Sequence, residues 1–235
     1  MIRTIALLCA VAVALCGLVR AEDAAVDEPF NGKDLTGWKL RGDAAKSGWK
    51  VGKAALDPAE PKHLTCSEGG TEMVNVVKGH GQGVDIFSEQ KFGDVHLELE
   101  VMVAKESNSG IYLLGEYEIQ VLDSFGKENP SAGDMGGIYS AAAPKENACK
   151  APGEWQKYVI DFVAPRFDAE GKKTAKAKFV KVVLNGKVIH ENVEVEKPTG
   201  GELSAKEVPT GPLLFQGNHG PVAYRNIKIT PVAAK

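Results

Sequence analysis

Val95-His96-Leu97-Glu98-Leu99-Glu100-Val101-Met102-Val103 alternates apolar and polar side chains almost without a break. Successive side chains of a strand point to opposite faces, so Val95, Leu97, Leu99, Val101 and Val103 share one face. A period of two sustained this long predicts a half-buried strand of an antiparallel sheet. The same pattern runs through residues 155–163, 179–184 and 222–229. Between 178–184 and 187–190 lies Asn185-Gly186, a pair that accepts the positive φ of a type I′ turn and predicts a hairpin. Glycine and proline punctuate the rest, and no segment holds a capped 3.6-residue period, so helices should be few and short. Many short strands without an internal repeat or a long linker predict an all-β fold, a two-sheet sandwich or a barrel, and of these a two-sheet antiparallel jelly-roll sandwich is expected.

The first residues stand apart from that pattern. Met1-Ile2-Arg3 is a short basic start, residues 5–19 are an apolar run, and Val19-Arg20-Ala21 precedes the polar Glu22-Asp23. This order predicts a secretory signal peptide over residues 1–21. The apolar run falls short of the roughly 20 residues a membrane-spanning helix needs, so no stable membrane anchor is expected. The mature chain, residues 22–235, is expected to be one β-sandwich domain, periplasmic or extracellular. Losing Arg3 and Arg20 leaves 26 of the 28 basic residues against 31 acidic ones, a net charge of about −5. Such a balance gives no general attraction for nucleic acid. Cys66 and Cys149 remain in a compartment that permits disulfides, and their spacing does not dictate pairing.

Chemistry concentrates in Asn108-Ser109-Gly110-Ile111-Tyr112-Leu113-Leu114-Gly115-Glu116-Tyr117-Glu118-Ile119-Gln120-Val121-Leu122-Asp123-Ser124. Two strands, 110–114 and 117–122, are expected with a tight turn at Gly115-Glu116. Glu118 and Gln120, two apart, share a face. Asp123 shares it only if a β-bulge intervenes, a feature common beside active sites. The plain alternative makes Glu118 a surface charge and Asp123 the start of a turn. A second cluster, Gln216-Gly217-Asn218-His219-Gly220, ends an apolar strand; its histidine can shuttle a proton, and spacing alone equally allows a loop histidine with no task. No HExxH, paired CxxC, DxDxDG or GxSxG spacing occurs, so neither metal nor cofactor is expected.

Phe30-Asn31-Gly32-Lys33-Asp34-Leu35-Thr36-Gly37-Trp38 resembles the opening signature of the 3-keto-disaccharide hydrolase family. Asn108-Ser109-Gly110-Ile111-Tyr112, Tyr117 to Ser124, Gly137-Ile138-Tyr139, Pro152-Gly153-Glu154-Trp155 and His219-Gly220-Pro221-Val222 follow in the family's order. Leu114 departs from it, standing where members often carry arginine. The resemblance implies a concanavalin A-like glucanase fold with a sugar groove. It implies cleavage of a glycosidic bond in a sugar oxidised to a ketone at C3, by loss of the C2 proton, elimination and hydration. An oligosaccharide or glycoside is then the partner. Glu118 would be base or acid, with Asp123 or His219 as counterpart. Asn108, Gln120, Gln216 and Asn218 would hold sugar hydroxyls or the developing oxyanion, and Tyr112 and Tyr139 would offer faces to the ring. For Trp155, core packing is the plainer expectation. Two alternatives stay open. A retaining glycosidase would use Glu118 and Asp123 about 5–5.5 Å apart. A non-catalytic carbohydrate-binding module would leave them on opposite faces or outside any groove.

Overall fold

A computed structural model of the chain describes residues 25–232; the expected signal segment, 1–21, lies outside them. Fourteen strands follow one another: β1 Trp38–Arg41, β2 Trp49–Leu56, β3 Leu64–Asn75, β4 Asp85–Phe92, β5 Val95–Val103, β6 Asn108–Leu113, β7 Tyr117–Leu122, β8 Gln156–Val163, β9 Arg166–Phe167, β10 Lys173–Ala175, β11 Ala177–Leu184, β12 Lys187–Val195, β13 Gly211–Phe215 and β14 Val222–Pro231. The one helical turn among the described residues is a short 3-10 segment, Ala44–Lys46, capped by Asp43. Pairing is antiparallel throughout and builds a five-stranded sheet, β1-β4-β13-β6-β7, and a seven-stranded sheet, β12-β11-β8-β5-β14-β3-β2. A two-stranded ribbon, β9 with β10, completes the set.

The alternation of β5 survives intact. Its five odd-numbered side chains are buried while His96, Glu98 and Glu100 are half-buried on the outer face. They meet Ile111, Ile119 and Phe215 of the opposite sheet in one apolar core. Each such side chain contributes about 1.5–3 kcal/mol on burial, so the sandwich does not depend on a cross-link. Cys66 and Cys149 are both free thiols. The Asn185-Gly186 turn forms as expected, with φ of 52° and 84° closing the β11–β12 hairpin. Trp155 packs, as expected, against a buried apolar cluster that includes Val74, Met102 and Ala223, though not in the core between the sheets. It sits half-buried on the outer face of the seven-stranded sheet, with the Arg225 guanidinium 4.0 Å over its ring.

Aromatic rings tie the two sheets together. Phe215 of β13 stacks on Tyr224 of β14 at 3.8 Å between centroids, and Trp38 of β1 stacks on Phe215 at 5.4 Å. The Tyr224 hydroxyl meets Ser109 Oγ at 2.8 Å, so its polar tip is satisfied inside the core. This fixes β13 and β6 side by side and sets the position of the next residue, Gln216.

Candidate active site

Register decides which side chains meet. β6 and β7 pair without a break from Asn108↔Leu122 to Leu113↔Tyr117, with Tyr112 opposite Glu118 and Gly110 opposite Gln120. Directly opposed residues of a pair share a face, so Asn108, Gly110, Tyr112, Glu118 and Gln120 all lie on the side away from the core. The turn between the strands begins one residue before Gly115-Glu116. Leu114 and Gly115 take φ of 56° and 74°, and Glu116 N donates to Leu113 O at 3.0 Å. The unbroken ladder also corrects the expectation for Asp123, because no bulge returns it to the face of Glu118. Asp123 N continues the ladder to Ser107 O at 3.0 Å. Its carboxylate accepts from Glu106 N at 2.9 Å and Phe125 N at 3.3 Å, bracing the turn that leads into β6.

Loops then wall in the outward face. Residues 134–142 run along the free edge of β7, where Gln120 N donates to Gly137 O and Tyr139 N to Glu118 O. That pairing brings Tyr139, 36 % exposed, to the rim. A strap over residues 196–210 forms the second wall. Thr199 Oγ1 accepts from Glu118 N at 2.9 Å, and Arg41 donates to the carbonyls of Gly201 and Glu202, each at 2.8 Å. The end of β13 is the third: Gln216 N donates to Gly110 O at 3.0 Å, and Gln216 Nε2 to the Tyr112 hydroxyl at 3.4 Å. Beyond it Gly217 N donates to Asp85 Oδ1 at 2.9 Å and Asn75 Nδ2 to Gly217 O at 2.7 Å, holding the turn that carries His219. The enclosed cleft is about 190 Å³, lined by Asn108, Tyr112, Glu118, Gln120, Tyr139, Gly200, Gly201, Gln216 and His219. A larger groove on the seven-stranded sheet, lined by Glu98, Glu100, Lys157 and Lys228, has its charges paired, Lys157 with Glu98 at 3.1 Å for one, and is solvated surface.

Seven of the nine candidate residues therefore face one cleft. Asp123 does not. Asn218 does not line it either, but its Oδ1 contacts His219 Nδ1 directly. An amide oxygen only accepts, so with Oδ1 facing the ring the consistent tautomer carries its proton on Nδ1 and keeps the Nε2 lone pair free. The sequence reading does not single out Asp85, Arg41, Thr199 or His80. Asp85 had a signal, a lone acid in the apolar run Val84-Asp85-Ile86-Phe87. His80 had another, glycines on both sides as in the His219 turn.

Burial sets the protonation states. Glu118 is 3 % exposed, and desolvation pushes its carboxyl up to about 8; the Tyr112 hydroxyl pulls the other way and the Asp85 carboxylate adds to the rise. His219 moves down from the ordinary histidine value, first through burial and then through the neighbouring His80, with Asp85 opposing. Near neutral pH the cleft thus presents a protonated carboxyl and a neutral imidazole. Burial and the Glu118 charge drive the Tyr112 hydroxyl well above its ordinary value, so it stays a donor. The polar groups around them are incompletely used. Asn108 Oδ1 is buried with no partner among the described residues. Gln120 Oε1 accepts from Val121 N at 3.0 Å, which leaves its NH₂ end for another partner. No group of three or more His, Cys, Asp or Glu suited to a metal ion occurs among the described residues.

Gly110 makes room for the carboxyl. A Cβ there would stand 2.2 Å from Glu118 Oε1 and 2.8 Å from Tyr112 Cε2. Gly110→Ala must displace the flexible end of Glu118, and a misplacement of about 1 Å can cost about 10²-fold in rate. A fall in kcat/KM of that order is expected, with the β-sheet circular dichroism unchanged.

An antiparallel sandwich with an acid, an imidazole and several amides facing one small cleft fits a protein that handles a polyhydroxylated ligand. Residues 26–230 match the 3-keto-alpha-glucoside-1,2-lyase-like domain, and the chain belongs to that family of carbohydrate-active proteins. A crystal structure described as a candidate glycosyl hydrolase from Parabacteroides distasonis is 30% identical, with a TM-score of 0.66 over 90% of this chain and 84% of that one. Two further candidate glycosyl hydrolases from the same organism share the fold, at 19% and 20% identity and TM-scores of 0.58 and 0.57. They cover 88% of this chain and 94% and 100% of their own. No protein of curated function matches the sequence.

Proposed function

We propose that the protein cleaves 3-keto-glycosides by elimination across C1 and C2, followed by hydration. The observation that carries this reading is the pairing of one protonated carboxyl, Glu118, with one neutral imidazole, His219, on a cleft that no second carboxylate lines among the described residues. A retaining glycosidase needs two carboxyl groups across the scissile bond. Asp123, its expected second member, is engaged in bracing a turn. Asp85 accepts from Gly217 N and pairs with Arg41 at 3.4 Å. A binding module, the other alternative, has no use for a carboxyl held protonated by burial, a state that disfavours the ionic contacts a surface acid makes.

Elimination uses what the cleft contains. A C3 ketone acidifies the C2 proton, which His219 Nε2 removes. Charge develops on the C3 oxygen, where the Tyr112 hydroxyl and the NH₂ groups of Gln216 and Gln120 are the available donors. As the C1=C2 bond forms, the C1–O bond breaks and the departing oxygen takes the Glu118 proton. Water then adds across C1=C2, returning a proton to C2 and a hydroxyl to C1. Tyr139 at the rim offers its face to the sugar ring. The reading includes export of the chain through residues 1–21, and a jelly roll of the concanavalin A-like kind, since the chain crosses between the two large sheets at β1–β2, β3–β4, β4–β5, β5–β6, β7–β8, β12–β13 and β13–β14.

Cleavage run in D₂O tests the chemistry. Elimination and hydration place solvent deuterium at C2 of the released 3-keto sugar, beyond the slow exchange of the same sugar without protein. Product that retains only protium at C2 would rule the route out.

A further inference from the structure

The His219 turn packs against a second histidine loop. Residues 78–83 read Lys-Gly-His-Gly-Gln-Gly, and this loop is fitted to the turn at two points. Gly81 N donates to Asn218 O at 2.8 Å. Gly83, at φ 86°, lies so close that a Cβ would stand 2.5 Å from Gly217 O. Next to the first of these points, the exposed His80 ring meets the His219 ring nearly edge-on, 4.2 Å between centroids with planes 83° apart. His219 is thus in contact with both Asn218 and His80 while it lines the cleft.

We propose that His80 is a positioning residue that acts through His219, bracing the ring against the cleft and opposing its protonation, so that His219 remains a base. This rests on the assignment of His219 as the group that takes the C2 proton. A charge on His80 at this separation repels a charge on His219, so it disfavours the protonated form of the His219 ring. The charged and titratable groups around His219 are few. Asp85 lies behind it and favours its protonated form; Glu118 and Tyr112 face the same cleft and are both protonated near neutral pH. Lys78, exposed, belongs to the His80 loop. His80 is the one neighbour among these that adds to burial in holding the proton off His219. Without it, the Asp85 attraction would meet only the cost of burial.

Titration of the His219 ring followed by NMR, in the wild type, His80→Asn and His80→Lys, tests the proposal. His80→Asn removes the second charge, and the His219 midpoint should rise by roughly half to one pH unit. The acid limb of kcat/KM should move with it while the alkaline limb stays put. His80→Lys keeps a positive charge beside the ring and should hold the midpoint at or below that of the wild type. No movement in His80→Asn, or the same rise in both variants, would overturn the proposal. The NMR midpoint is read whether or not any sugar is cleaved. A failed functional reading would therefore show as absent turnover in the wild type, and a failed role for His80 as an unmoved midpoint.

Discussion

Glu118→Gln is expected to lower kcat/KM on a 3-keto-glycoside by about 10²–10⁴-fold, the usual contribution of a positioned acid or base. Glutamine keeps the shape of the side chain but cannot deliver a proton to the departing oxygen. The loss should depend on the leaving group. An aryl glycoside whose phenolate departs without help should lose far less than an alkyl or sugar leaving group, whereas a missing C2 base would slow both alike. Stability should move the opposite way. The folded protein holds the Glu118 proton up to about pH 8, while the unfolded chain releases it near the ordinary value of 4.5. The stability this group contributes is therefore complete below that ordinary value and is lost as pH rises toward 8. Glu118→Gln removes that loss, so its melting temperature should exceed the wild type's at about pH 9 and match it at about pH 4. Unchanged turnover in the variant would remove Glu118 from the proton transfers, and an unchanged alkaline melting temperature would deny its burial as a neutral acid.

How far the site was legible in the sequence follows from the range of each interaction. The β5 face, the Asn185-Gly186 hairpin and the shared side of Glu118 and Gln120 depend on neighbours along one strand, and period-two alternation encodes them directly. Asp123 failed because a bulge leaves no local mark of its own. The actual register was settled by the backbone bond from Asp123 to Ser107, across the hairpin. Leu114 is a similar case. A leucine at positive φ is disfavoured by contact of its Cβ with the backbone, so local preference pointed to a turn one residue later. The walls of the cleft were least legible. Arg41 reaches Gly201 and Glu202 across about 160 positions of sequence, and Thr199 meets Glu118 across 81. His80 lies opposite His219 only because two glycine-rich loops interlock. Such contacts are set by sheet order, which brings β1 and β4 beside β13 and which no single stretch encodes. The collinear family blocks added what local pattern lacked, bringing Asn108, Glu118 and His219 into one expected site together with Asp123, which the structure sets apart from the cleft.

Substrate discrimination tests the central claim most directly. Two glycosides identical except at C3, one bearing a ketone and the other the parent hydroxyl, are incubated with the purified protein while release of the leaving group is followed. Without the ketone the C2 proton is not acidic, and neither His219 nor Glu118 can substitute for the lost stabilisation of the enolate. Cleavage of the keto-glycoside with the parent left essentially intact is the result this account predicts. Comparable rates on both would mean that the C1–O bond breaks without C2 deprotonation, as in an ordinary glycosidase, and binding of both without release would mean a carbohydrate-binding protein; either result would contradict it.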